Sequence, residues 1–222
     1  ARPGSGKSVL MNVTNFALCL SDKLKRLPRI AIVDIGPSSS GLISLIKEAL
    51  PQEQRHLAVY ERLRNTKEYS INPFDTQKGV RFPTPAHRAF LQNMVTLLVT
   101  DPSKDMPNEG MVGLVMDAID EAYRQRLDGV NPKRFAAQID NQIDEAIQKH
   151  RIQIDNRTTW WEVVDSLFEV GEVRLAGQAQ RHAVPTLSDL PQVANSEKFR
   201  QKYVLQVKGT GEDLIKSFGR MI

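Results

Sequence analysis

The chain has 222 residues, 41% hydrophobic and 25% charged, enough to bury one sizeable core and a smaller second unit. Its one cysteine, Cys19, excludes an internal disulfide framework, and no apolar run reaches the ~18 residues of a membrane-spanning helix. Charge is uneven: residues 1–100 hold 14 basic and 7 acidic side chains and the rest 16 and 19, a bias that favours phosphates, nucleic acid or an anionic surface at the first half.

The chain opens ARPGSGKS, close to the phosphate-loop pattern G-x-x-x-x-G-K-[S/T] with Ala1 at the first glycine position. Gly4, Ser5 and Gly6 would turn backbone N–H groups toward a phosphate, Lys7 would span β- and γ-phosphate oxygens, and Ser8 would join the shell of Mg²⁺. Val9 opens the helix whose positive end faces the phosphates. Helical spacing of Val9, Leu10, Val13, Phe16, Ala17 and Leu20 predicts a helix ending near Lys23–Arg26.

Residues 29–36, RIAIVDIG, read as a buried parallel strand ending in Asp34. Asp34 is either a magnesium-positioning carboxylate or a switch residue at the end of the strand after the phosphate-loop helix. The run GPSSSG leads into a helix on Leu42, Ile43, Leu45, Ile46, Ala49 and Leu50, with Ser38, Ser39 and Ser40 as cap candidates. Residues 56–60 form a second strand candidate. Asn72-Pro73-Phe74-Asp75 is a turn in which Asp75 can bond its own backbone.

Helices follow on Phe90, Met94, Leu97 and Leu98, and on Val112, Val115, Met116, Ile119 and Tyr123. Phe135, Ile139, Ile143 and Ile147, every fourth residue, predict another. Thr159 and Glu162 form a capping box ahead of a helix that buries Val163, Leu167 and Phe168. Trp160 and Trp161 read as cap-and-core residues, with base stacking the competing reading. His87, His150 and His182 lack metal-ligand spacing. Residues 203–207 alternate like a strand, and LIKSFGRMI closes the chain as a helix. The expected organisation is a phosphate-loop core over 1–102, a mostly helical insertion over 103–185, and a return to the core over 186–222.

Six stretches, ARPGSGKS (1–8), RIAIVDIGPSSSGLISLI (29–46), EYSINPFDTQKG (68–79), TPAHRAFLQNMVTLLVTDP (84–102), TTWWEVVDSLFEVG (158–171) and AQRHAVPTLSDL (179–190), together resemble the Dot/Icm branch of the type IV secretion ATPases, the DotO or IcmB family. The conjugation protein TraU is a relative of that family. The resemblance implies an α/β fold: a P-loop NTPase of the RecA-like additional-strand type with a helical insertion. It implies a ring of identical subunits, expected to be a hexamer, at the cytoplasmic face of a bacterial inner membrane. Other components of a secretion or conjugation apparatus would be its partners, secreted proteins its substrates, with DNA allowed but not required.

Carried over by residue, the family's phosphate-loop lysine and serine fall on Lys7 and Ser8, and the Asp closing the next strand falls on Asp34. Arg174, Arg181 and Arg220 are candidates for an arginine donated to the γ-phosphate of a neighbouring subunit. The family's magnesium Asp and catalytic Glu find no counterpart, so the chain is expected to be a fragment. The implied function is an ATPase, a hydrolase that binds ATP and Mg²⁺ and drives protein export or assembly of the apparatus. The alternatives are a DNA-translocating or conjugative ATPase and a non-enzymatic nucleotide-dependent scaffold.

Overall fold

The computed structural model describes residues 6–21, 26–34, 38–62, 64, 66 and 71–222, the side chain of Ser38 excepted. It divides into two compact units, Ala1–Ser70 and Ile71–Ile222.

In the first unit, α1 (Lys7–Cys19) and α2 (Ser38–Ala49) precede a 3-10 turn at Gln52–Leu57. Gly6 caps α1 at φ 76°, a left-handed geometry suited to glycine. Leu42, Ile46 and Leu50, four residues apart, fall on one face and bury with Ala58. Phe16 and Cys19 of α1, with Leu27, Ile32 and Ile43, pack partly against this small core. No residue of α1 is fully buried, and Val9, Leu10 and Val13 are exposed.

The second unit holds α3 (Pro85–Leu98), α4 (Met111–Gln125), α5 (Asn141–Lys149), α6 (Trp160–Glu169), α7 (Val173–Ala183), α8 (Asp189–Ala194), α9 (Glu197–Lys202) and α10 (Leu214–Met221). Thr84 caps α3 by accepting from the His87 N–H, with Pro85 at the first helical position, where its missing N–H costs nothing. Leu91 and Val95 of α3 meet Leu114, Val115 and Ile119 of α4 in a core that α8, α9 and α10 complete. Ile143, Trp160, Trp161, Val163, Leu167 and Ala179 form a second core among α5, α6 and α7. The Thr159–Glu162 capping box forms as its spacing predicts: Glu162 N–H donates to Thr159 Oγ1 (3.2 Å) and Thr159 N–H to Glu162 Oε2 (2.6 Å).

Several polar ties link segments of this unit. Trp161 Nε1 donates to Arg126 O (2.9 Å), and the Arg81 guanidinium lies 4.4 Å from the Trp161 ring centre. Asp189 pairs with Arg126 (3.0 Å) and Lys133 (3.2 Å) and accepts from Thr186 N–H (2.8 Å). Burial alone would weaken its acidity, but these donors and cations outweigh burial and hold the carboxyl below its ordinary range.

The α/β expectation is overturned. Among the described residues the only β pairings are two isolated bridges, Arg134–Thr159 and Gln206–Asp213. The fold is largely helical, and the described residues contain no parallel sheet of the kind that a RecA-like additional-strand NTPase is built on. Residues 29–34, read as a buried strand, have no ladder partner; His56 lies in the 3-10 turn; and 203–207 contribute one bridge. A strand exists only through lateral hydrogen bonds, so an apolar β-branched run without a neighbour stays unpaired. The helix predicted over 135–147 starts later, at Asn141: Gln138 takes φ 67° and Asp140 caps by accepting from Gln142 N–H (3.0 Å).

No helix among the described residues is long and apolar enough to cross a membrane.

Candidate functional site

A cleft of about 1240 Å³ opens in the first unit. Cys19 of α1, Leu42 and Ile46 of α2 and Leu50 just after it supply apolar floor, because the four-residue spacing puts the last three on the face that borders the cleft. Burial pushes the Cys19 thiol up, away from the reactive thiolate. The walls are 27–34 and 57–62, non-helical apart from Leu57 at the end of the 3-10 turn. Neither makes a ladder among the described residues, and the main chain of 27–33 bonds to no other described residue. Ala58, at φ −94° and ψ 106°, is extended. Val33 is 97% exposed, and Val59 and Tyr60 are exposed on the other wall.

The charged lining is Arg26, Arg29 and Arg62 against Asp34 and Glu61. By sequence, residues 1–70 carry 11 basic and 6 acidic side chains. Asp34 accepts from the buried Ser39 hydroxyl (2.9 Å), which ties the end of the 27–34 wall to the start of α2. The arrangement offers an apolar floor, a main chain at 27–33 that bonds to no other described residue, and guanidinium groups among its lining.

The sequence-predicted nucleotide residues lie elsewhere on this unit. Gly4 and Ser5 fall outside the described residues. Gly6, Lys7, Ser8 and Val9 are exposed at the start of α1, with Gly6 O accepting from Leu10 N–H (2.9 Å). In the second unit, Arg174 donates to Gln142 (3.1 Å) and Gln178 (3.3 Å). Arg181 lies 3.8 Å from Asp75, and Arg220 donates to Glu212 (3.0 Å). Each of these arginines therefore has a partner inside its own unit.

The nucleotide assignment does not survive the fold. A phosphate loop is a strand–turn–helix device, in which a sheet strand fixes the turn that cradles the triphosphate. No such sheet core is present among the described residues, and no group of three His, Cys, Asp or Glu there could hold a metal ion. The expectations of a P-loop NTPase, ATP binding, Mg²⁺ binding and a hydrolytic motor fall with it. So does the resemblance to the type IV secretion ATPases, whose architecture requires that sheet.

Sequence reasoning also missed a polar clamp in the second unit. Gln180 is only 1% exposed, on the α7 face that holds Ala176, Ala179 and Ala183. Its Nε2 donates to Thr76 O (2.9 Å), Thr76 Oγ1 (3.0 Å) and Gln77 O (3.1 Å), and its Oε1 accepts from Gly79 N–H (2.7 Å). Asn72, not Asp75, closes the preceding turn: Oδ1 accepts from Phe74 N–H (3.1 Å) and Nδ2 donates to Pro185 O (2.8 Å). Tyr123 Oη adds a bond to Phe74 O (2.6 Å). Burial pushes the Asp75 carboxyl up despite Arg181 and Gln180. These groups satisfy one another and stitch residues 72–80 to α4 and α7. A polar residue inside a stripe of small apolar ones was the available signal. No family model, curated protein or solved structure matches the chain.

Proposed function

We propose that the chain is a protein-interaction module whose first unit binds an extended apolar segment of a partner protein in the cleft between residues 27–34 and 57–62. The observation that carries this reading is the wall at Ile30–Val33. It is an apolar run, Ile-Ala-Ile-Val, with Ile30 and Val33 exposed and Ile32 half-buried against the small core, lining an apolar cleft, whose main chain bonds to no other described residue. Exposed apolar area and unpaired backbone both gain from a strand laid alongside, the first by removal from water and the second by ladder bonds. The second unit, with its two packed cores, serves as a helical scaffold.

The test is fluorescence polarisation with a labelled short peptide of Val-Thr-Val-Thr-Val core and acidic flanks. Saturable binding that Val33→Asp weakens at least roughly tenfold supports the reading. Val33 is 97% exposed, so that substitution leaves the core intact. Absence of binding, or binding indifferent to Val33→Asp, overturns it.

A further inference from the structure

The cleft also specifies the chemistry of its occupant. We infer that the partner segment carries carboxylates beside its apolar stretch, and that Arg26, Arg29 and Arg62 select it. The inference rests on the cleft being a segment-binding site.

Three guanidinium groups line the cleft against two carboxylates, and one of those, Asp34, already accepts from Ser39. None of Arg26, Arg29 and Arg62 has an ion-pair partner among the described residues. In the second unit Arg81, Arg88, Arg124, Arg126, Arg181 and Arg220 each lie within ion-pair distance of a carboxylate, whereas Arg134, Arg151, Arg157, Arg174 and Arg200 do not among the described residues. What sets Arg26, Arg29 and Arg62 apart is that all three line one cleft. The sequence of residues 1–70 has the same sign, with 11 basic residues against 6 acidic.

Arg29 lies immediately before the exposed Ile30–Val33 run, and Arg62 lies two residues beyond Tyr60 on the other wall. A segment seated along Ile30–Val33 brings its flanking side chains within reach of those positions. Guanidinium groups suit carboxylates because their N–H donors match the two oxygens in one plane. A positively charged cleft mouth also speeds encounter with an acidic segment and discriminates against a basic one. Apolar contact along the floor and wall supplies the affinity that the arginines direct.

The experiment compares three peptides with the same Val-Thr-Val-Thr-Val core, flanked by Asp and Glu, by Ser, or by Lys. They are titrated against the full chain and against Arg29→Gln and Arg62→Gln, both at exposed positions. The acidic peptide is expected to bind best, with the Ser-flanked one weaker by roughly tenfold and the Lys-flanked one weaker still. Each arginine variant should lose about three- to fivefold for the acidic peptide and nothing for the Ser-flanked one. Added salt should narrow the difference.

Equal binding of all three peptides overturns this inference and leaves the segment-binding reading standing. Binding of none overturns that reading itself. Duplex DNA that displaces the acidic peptide assigns the arginines to nucleic acid and overturns the inference. Self-association that excludes the peptide assigns the cleft to a second copy and does the same.

Discussion

Replacing Gln180 with Met tests how the second unit holds its first segment. Met fills nearly the same volume, so little cavity is created, but every hydrogen bond of the amide is lost. Gly79 N–H, bonded at 2.7 Å, loses its acceptor, and Thr76 O and Gln77 O, at 2.9 and 3.1 Å, lose their donor. Stranding a buried group costs about 1–3 kcal/mol, while one that water can reach costs less. Gln180 is buried, but Gln77 is exposed and Thr76 and Gly79 are half-buried, so water recovers part of the loss. The net expectation is about 2–3 kcal/mol, or roughly 5–10 °C in Tm for a unit of this size.

Urea denaturation should show a lower midpoint at unchanged slope, because the native fold is kept. Amide exchange should show the Gly79 N–H losing protection selectively. A loss below about 0.5 kcal/mol, or an unchanged Gly79 exchange rate, would refute the clamp as a stabilising element.

Thr159→Ala removes the acceptor of the Glu162 N–H and should cost about 1 kcal/mol in thermal or urea unfolding, with Thr159→Ser recovering most of it. Gly110→Ala places a Cβ at φ 81°, 2.5 Å from Leu205 Cδ1 and 3.2 Å from Leu214 Cδ2, and should cost more than Gly129→Ala, which sits at φ 77° in open space. The left-handed strain common to both is about 1–2 kcal/mol, so the difference in their unfolding midpoints isolates the clash. The Glu121 carboxyl is pushed down to about 2, chiefly by its hydrogen bonds from Arg124, with Gln125 and Lys198 adding to the effect. Its stabilisation is therefore present above its ordinary value of 4.5 and lost as pH falls toward about 2. Glu121→Gln should be less stable than the parent chain by about 1 kcal/mol at neutral pH, discounted for the exposed partner cations, and the gap should close in strong acid.

Helical periodicity carried most of what the sequence revealed. Val115, Ile119 and Tyr123 report α4, and Leu42, Ile46 and Leu50 report α2, because three- and four-residue spacing is a property of the segment itself. The Thr159–Glu162 box is equally local. The run Ile30–Val33 misled for the opposite reason: β-type composition describes fit to a neighbouring strand, and the neighbour is not encoded in the run. The glycine-rich start of α1 misled similarly, since GSGKS reports a tight turn before a helix whether or not a sheet stands behind it. Phe135 and Ile139 kept the four-residue spacing of α5 without joining it, because Asp140 offers a better cap than a further turn of helix. The candidate cleft was legible only as its separate walls. Its existence depends on those walls lacking ladder partners among the described residues, which no single segment announces.

The central claim is that the Ile30–Val33 wall receives a partner strand. Hydrogen–deuterium exchange of the full chain, with and without saturating acidic-flanked Val-Thr-Val-Thr-Val peptide, tests it most directly. The account predicts new protection concentrated at residues 29–34, with a smaller gain at 57–62 and no change within α4 or α6. Unchanged exchange over 29–34 at peptide saturation would contradict it.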